Sequence, residues 1–154
     1  MSRQVEKIWT ADELLAKMEH FCAYRERCPQ EVRRKLMELG AGDETVEQIY
    51  SVLEADGFFN EARFAQAFAG GKFRVNQWGR VRIRLELRQR GISPGIIGEA
   101  METIGEEEYL GVLQRLIEKR RQHWPSPHDA GAKSKTAAAL IRAGYEPELV
   151  FRYL

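Results

Sequence analysis

The chain has 154 residues, 44% of them apolar, with 24 basic against 23 acidic side chains and a formal charge of +1. That length and balance suit one globular domain or a short array of small repeats, and exclude a disordered polyelectrolyte. No apolar run is long enough to cross a bilayer, and the opening MSRQVEKIW lacks the apolar core of a secretory signal, so the expected compartment is the cytoplasm.

In chain order, Thr10-Ala-Asp-Glu13 spells a capping box, in which Thr10 and Glu13 each satisfy a free backbone N–H of the other's end. Leu14, Leu15, Met18, Phe21 and Cys22 follow at three- and four-residue steps, which predicts an amphipathic helix ending near Arg27. Pro29 suits the first turn of a second helix, with Val32, Leu36 and Leu39 inward and Gly40 closing it. A third helix from about Glu44 turns Val46, Ile49, Tyr50 and Leu53 inward. Cys22 and Cys28 form a lone C-x5-C near His20. A structural zinc needs four ligands at set spacing, so Cys22 reads as a small core residue, and no metal is expected.

Beyond Gly57, Asn60 can cap a helix carrying Phe64, Ala65 and Phe68, and Gly70-Gly71 reads as a flexible hinge. Val81, Ile83, Leu85 and Leu87 alternate with Arg80, Arg82, Arg84 and Glu86, which alone would predict a strand. Comparison along the chain reverses that reading. Leu36-x3-Gly40, Leu87-x3-Gly91 and Leu140-x3-Gly144 are one phrase, and Pro94 and Pro147 each stand three residues past their glycine. A repeat near fifty residues outweighs local alternation. Residues 80–90 are therefore predicted helical, with Val81/Leu85 and Ile83/Leu87 as two stripes packed by neighbours on both sides. Glu106-Glu107-Glu108 suits a helix start, Tyr109 to Ile117 its buried face, and an alanine-rich helix runs from Lys133 to Ala143 before a last one from Pro147. The fold class is all-α: residues 1–154 form one domain of three-helix units at about 10–55, 56–104 and 105–154.

Charge is blocked along the chain. Residues 29–57 hold seven acids against three bases, 58–92 eight bases against two acids, 93–118 six acids against one base, and 119–154 seven bases against three acids. Stacked repeats would then show alternating fields although the whole is nearly neutral. The +6 of residues 58–92 makes Lys72, Arg74, Trp78, Arg80, Arg82, Arg84, Arg88 and Arg90 the candidate partner- or nucleic-acid-binding residues. The blander reading is a solvated helix face whose stems cover apolar neighbours, with Trp78 a packing residue. On the binding reading, reversing Arg80 and Arg84 to Glu is expected to weaken docking and leave stability unchanged. Gly70-Gly71-Lys72-Phe73 lacks the hydroxyl and first glycine of a phosphate loop, and three scattered histidines supply no triad, so no enzyme is expected.

The spelling is also familiar. Phe59-Asn60-Glu61, Arg63-Phe64-Ala65, Trp78-Gly79-Arg80 and Glu86-Leu87 to Gly91-Ile92 resemble the RecX family of recombination regulators, and Cys28-Pro-Gln-Glu-Val32 with Lys35-Leu36 fits that family's first repeat. The resemblance covers about Leu14 to Leu154. Asn60 stands where the family pattern often has an acid, which retains a helix cap. The resemblance implies tandem three-helix repeats in an elongated, curved array. It also implies a negative regulator of the RecA recombinase that binds RecA–single-stranded DNA filaments, blocks their extension and promotes disassembly. Strand exchange, ATP hydrolysis and coprotease activity of RecA would fall in consequence. The action is stoichiometric, by a monomer without cofactor or membrane, and some members bind DNA directly. A stand-alone helical DNA-binding or architectural protein ranks second, since no recognition helix with base-reading residues is evident. A scaffold adaptor ranks third.

Overall fold

The structure, a computed structural model, describes residues 8–154; the rest of the N-terminal stretch read above for a signal lies outside them. Among the described residues there are nine α-helices and no strand: α1 (Ala11–Tyr24), α2 (Pro29–Glu38), α3 (Asp43–Ala55), α4 (Glu61–Arg74), α5 (Arg80–Gln89), α6 (Pro94–Glu102), α7 (Glu106–Arg121), α8 (Ala130–Arg142) and α9 (Pro147–Tyr153). None is long and apolar enough to cross a membrane. The helices fall into two compact units, the first ending at Phe64 and the second beginning at Ala65.

In the first unit α1, α2 and α3 pack on one another around Met18, Val32, Leu36, Leu53 and Phe59. The expected capping box is present: Thr10 Oγ1 accepts from Glu13 N–H at 3.2 Å, and Thr10 N–H donates to Glu13 Oε1 at 3.3 Å. α1 stops at Tyr24, short of the predicted Arg27. Arg27 turns inward instead, 7% exposed, and its Nε donates to the Phe21 carbonyl at 3.0 Å, closing a helix end whose last carbonyls lack partners. Cys22 and Cys28 are free and buried, and burial pushes both thiols up.

Gly40, Gly91 and Gly144 all adopt the left-handed conformation, at φ of 88°, 80° and 107°, as a helix-closing position requires. Two local expectations differ. Gly70 and Gly71 form no hinge but lie inside α4, which continues because Phe73, one turn on, is fully buried. α8 starts at Ala130, three residues early, because Asp129 caps it: Oδ1 accepts from Ala132 N–H at 2.7 Å.

The second unit holds three stacked or tilted rings at its centre, Phe73, Tyr109 and Tyr145, with centroids 5.7 and 5.4 Å apart. Burial pushes Tyr145 up to about 12, and burial with a hydrogen bond to Glu146 pushes Tyr109 further; in the first unit burial pushes Tyr50 up to about 12. A phenol raised on folding favours the native state while protonated in both states. That contribution is whole below the unfolded value near 10 and is lost as pH rises toward the native one. These three tyrosines are therefore expected to stay protonated in the folded protein at about pH 11 and to ionise together with the loss of helix signal. A smooth tyrosinate titration of all five centred near pH 10, with circular dichroism unchanged, would contradict this.

Candidate partner interface

Helix α5 carries half of the candidate residues, and it is a helix because its apolar residues serve two environments. Ile83 and Leu87 are fully buried, whereas Val81 and Leu85 are 48% and 47% exposed. The second stripe is thus left about half open to solvent instead of being packed over, contrary to expectation. Val81, Arg84, Leu85 and Arg88 stand at i, i+3, i+4 and i+7, so they form a single outward stripe. Neither Arg84 nor Arg88 has an acidic partner among the described residues, and both are exposed.

The other candidates are already engaged. Arg80 is the most deeply committed. Its Nη2 donates to Glu146 Oε2 at 2.6 Å and its Nη1 to Glu106 Oε2 at 2.7 Å, with the guanidinium 3.9 Å from the centre of the Tyr109 ring. Its backbone N–H donates to Tyr109 Oη at 3.1 Å, and Tyr109 Oη–H donates to Glu146 Oε1 at 2.6 Å. With a side chain only 18% exposed, Arg80 is a clamp between α5, α7 and the start of α9, not a free docking residue. Arg74 donates from Nε and Nη2 to both oxygens of Glu108 at 3.1 and 3.2 Å. Arg90 Nη1 donates to Glu86 Oε2 at 2.7 Å and its guanidinium lies 4.6 Å from the Phe68 ring centre.

Trp78 is held between these groups. Its ring meets Phe68 edge-on at 6.3 Å, the Arg82 guanidinium lies 3.8 Å from its centre and the Lys72 ammonium 4.9 Å. It is a platform on which the Arg82 guanidinium rests. The charge blocks of the sequence therefore partly cancel inside the second unit: Glu106 and Glu108 from the acidic block are spent on Arg80 and Arg74 from the basic one.

The join that aims α5 is made by backbone. Gly79 N–H donates to the Ala143 carbonyl and Val81 N–H to the Gly144 carbonyl, each at 2.9 Å. These bonds satisfy donors at the start of α5 that no intrahelical carbonyl can reach. Tyr145 Oη–H adds a bond to the Gln77 carbonyl at 2.9 Å. A Cβ on Gly79 would lie 2.2 Å from the Gly144 carbonyl carbon, so only glycine admits this approach.

The sequence reading passed over one cationic surface. Arg120 on α7, and Lys135 and Arg142 on α8, line an open groove of about 550 Å3 with Arg82. Their block showed only as a modest excess of bases, because the residues that converge are scattered through two helices. No group of three or more His, Cys, Asp or Glu side chains among the described residues could hold a metal ion.

Fold and surface together define an all-helical repeat protein that presents one cationic, partly apolar stripe on α5. The family model described as RecX, second three-helix domain, matches residues 60–101, the span of α4 to α6. The regulatory protein RecX of Pseudomonas putida (strain W619) is 31% identical over 148 residues, covering 94% of this chain and 86% of that protein. That of Halorhodospira halophila is 33% identical over 128 residues, covering 83% and 78%. The crystal structure of RecX from Lactobacillus salivarius superposes with a TM-score of 0.84 over 93% of both chains at 17% identity, a likeness of fold. The chain belongs to the RecX family of regulatory proteins.

Proposed function

We propose that this chain is a negative regulator of the RecA recombinase that docks on RecA–single-stranded DNA filaments, blocks their extension and promotes their disassembly. Family membership supports the regulatory role. The observation that carries the docking mode is the outward stripe of α5, where Val81 and Leu85 alternate with the unpartnered Arg84 and Arg88. Phosphates alone give no reason to expose two aliphatic side chains. Arginine beside apolar surface is the composition of a protein contact. The stripe therefore addresses an acidic, partly apolar surface of RecA, while Arg74, Arg80 and Arg90 keep the stripe's own scaffold together. Partial desolvation on docking strengthens each guanidinium–carboxylate bond.

The test is RecA ATPase on single-stranded DNA, with filament length followed in parallel. Wild type is expected to lower both. The double variant Arg84→Glu/Arg88→Glu is expected to need at least about tenfold more protein for the same effect, a loss of about 1.4 kcal/mol. Its thermal unfolding should shift little, since exposed substitutions usually fall within about 0.5 kcal/mol each. Equal inhibition by this variant across a range of salt would remove α5 as the docking element. No effect of wild type on RecA would remove the reading itself.

A further inference from the structure

The first unit holds a cleft that neither its core nor the α5 stripe uses. It opens where α1 packs on α2 and has a volume of about 500 Å3, inside the roughly 300–1,000 Å3 of small-molecule sites. Ala16 and Leu39 give it aliphatic walls, and Phe21 and Tyr24 add two rings. On α1, Ala16, His20 and Tyr24 stand at four-residue steps, and so do Lys17 and Phe21, so one side of the helix supplies all five. Tyr24 is 81% exposed, which leaves its ring open to a ligand.

The cleft is also cationic. Lys17, Arg27 and Lys35 line it with His20 among them, and no acid does. Neither lysine is in an ion pair among the described residues; the Lys17 ammonium lies 4.0 Å from the Trp9 ring centre and that of Lys35 5.8 Å from the Phe21 ring centre. Arg27 is the anchored cation. Its Nε donates to the Phe21 carbonyl at 3.0 Å, its Nη1 to Glu31 Oε2 at 3.4 Å, and its guanidinium lies 3.7 Å from the Phe21 ring centre. Nη2 is thereby left as the donor for a ligand. Glu31 is held more closely by Arg25, at 2.7 Å, so it offsets only part of the Arg27 charge.

We infer that this cleft binds a small organic anion with a flat apolar body, of the class of aromatic carboxylates. The two rings and the aliphatic walls take the flat body, by stacking and by burial of carbon surface. The planar Arg27 guanidinium and the lysine ammoniums take the carboxylate through charge-assisted hydrogen bonds. A polyanionic strand needs cations repeated along an open path. Here they surround one cavity whose other walls are carbon. The site belongs to the first unit, and the inference is independent of the RecA reading.

The experiment is isothermal titration of 1-naphthoate into the purified full chain, with circular dichroism of each variant alongside. Wild type is expected to show one saturable site per chain. Two analogues separate the contributions: 1-naphthol keeps the rings without the carboxylate, and butyrate keeps the carboxylate without the rings. Each should bind at least about tenfold more weakly. Lys17→Gln/Lys35→Gln should also lose about tenfold, as two charged donors become neutral. Ala16→Glu, at an exposed position that a good helix former can fill, puts an acid into the cleft and should abolish binding with helix content unchanged. Lys135→Glu/Arg142→Glu removes basic charge from the second unit and should bind as wild type does. Several results would overturn the inference. Wild type takes up no 1-naphthoate; an analogue binds as tightly; both cleft variants bind as wild type does; or the second-unit variant loses as much as they do. Displacement of 1-naphthoate by oligothymidylate or by hexaglutamate would make the cleft a contact for a macromolecule, and the inference then falls as well.

Discussion

Arg80→Glu is expected to destabilise the second unit by about 3 kcal/mol, the range seen when one partner of a largely buried ion pair is removed. The substitution takes away all three side-chain donors to Glu106 and Glu146 and sets a third carboxylate against them. Glu146 would also lose the cation that offsets its contact with Tyr109 Oη. For a chain of this length that amounts to roughly 10 °C in thermal midpoint. Arg84→Glu, four residues on and equally basic, is the control and should move the midpoint by a degree or two at most. If both variants melt like wild type, the Arg80 clamp contributes nothing. Loss of filament inhibition by an Arg80 variant is consequently no measure of docking unless its folding has been checked first.

The second large effect is expected at the glycine join. Gly144→Ala needs a left-handed residue with a side chain, and its Cβ would lie 2.4 Å from the Arg82 Cβ and 2.8 Å from the Arg82 nitrogen. Gly40 holds the same place in the first repeated phrase, with φ of 88° and nothing within 4 Å of a built Cβ. Gly40→Ala therefore measures the backbone cost alone, about 1–2 kcal/mol. Gly144→Ala adds the clash and should cost about 3 kcal/mol more, as overfilled sites do at the upper end. Gly79→Ala separates the clash from the backbone, because its φ of −79° is ordinary for any residue while its Cβ would still meet the Gly144 backbone. Urea unfolding of the three variants reads the difference directly. Equal losses at Gly40 and Gly144 would mean the join relaxes around a methyl group.

Much of the fold was legible because its signals are local and repeated. The three Leu-x3-Gly phrases marked helix ends that the structure closes in the left-handed conformation, and the repeat outweighed the strand-like alternation of Val81 to Leu87. Thr10 and Asn60 were readable as caps, and both accept the third backbone N–H. The site was less legible. Charge counting treats every arginine of a block alike, yet Arg74 and Arg80 find their acids 34 and 66 residues away while Arg84 finds none. Which cation is free is decided by tertiary placement. The same holds for Val81 and Leu85, whose spacing shows a stripe but not whether anything covers it. The groove of Arg82, Arg120, Lys135 and Arg142 gathers residues from three helices, and no window of sequence contains them together.

The bonds that complete the start of α5 also set an order of events during synthesis. Arg80 reaches Glu146 across 66 residues, Tyr145 reaches Gln77 across 68, and Gly79 and Val81 donate to the carbonyls of Ala143 and Gly144. A nascent chain presents α5 to solvent long before those partners leave the ribosome. In that interval its first N–H groups, Arg80 and one side of Phe73 and Tyr109 wait unpaired. Closing so long a loop is slow relative to local helix formation, so the second unit should consolidate in one late step rather than helix by helix. The growing chain would be most exposed to proteases and to misassembly between the emergence of α5 and that of Tyr145.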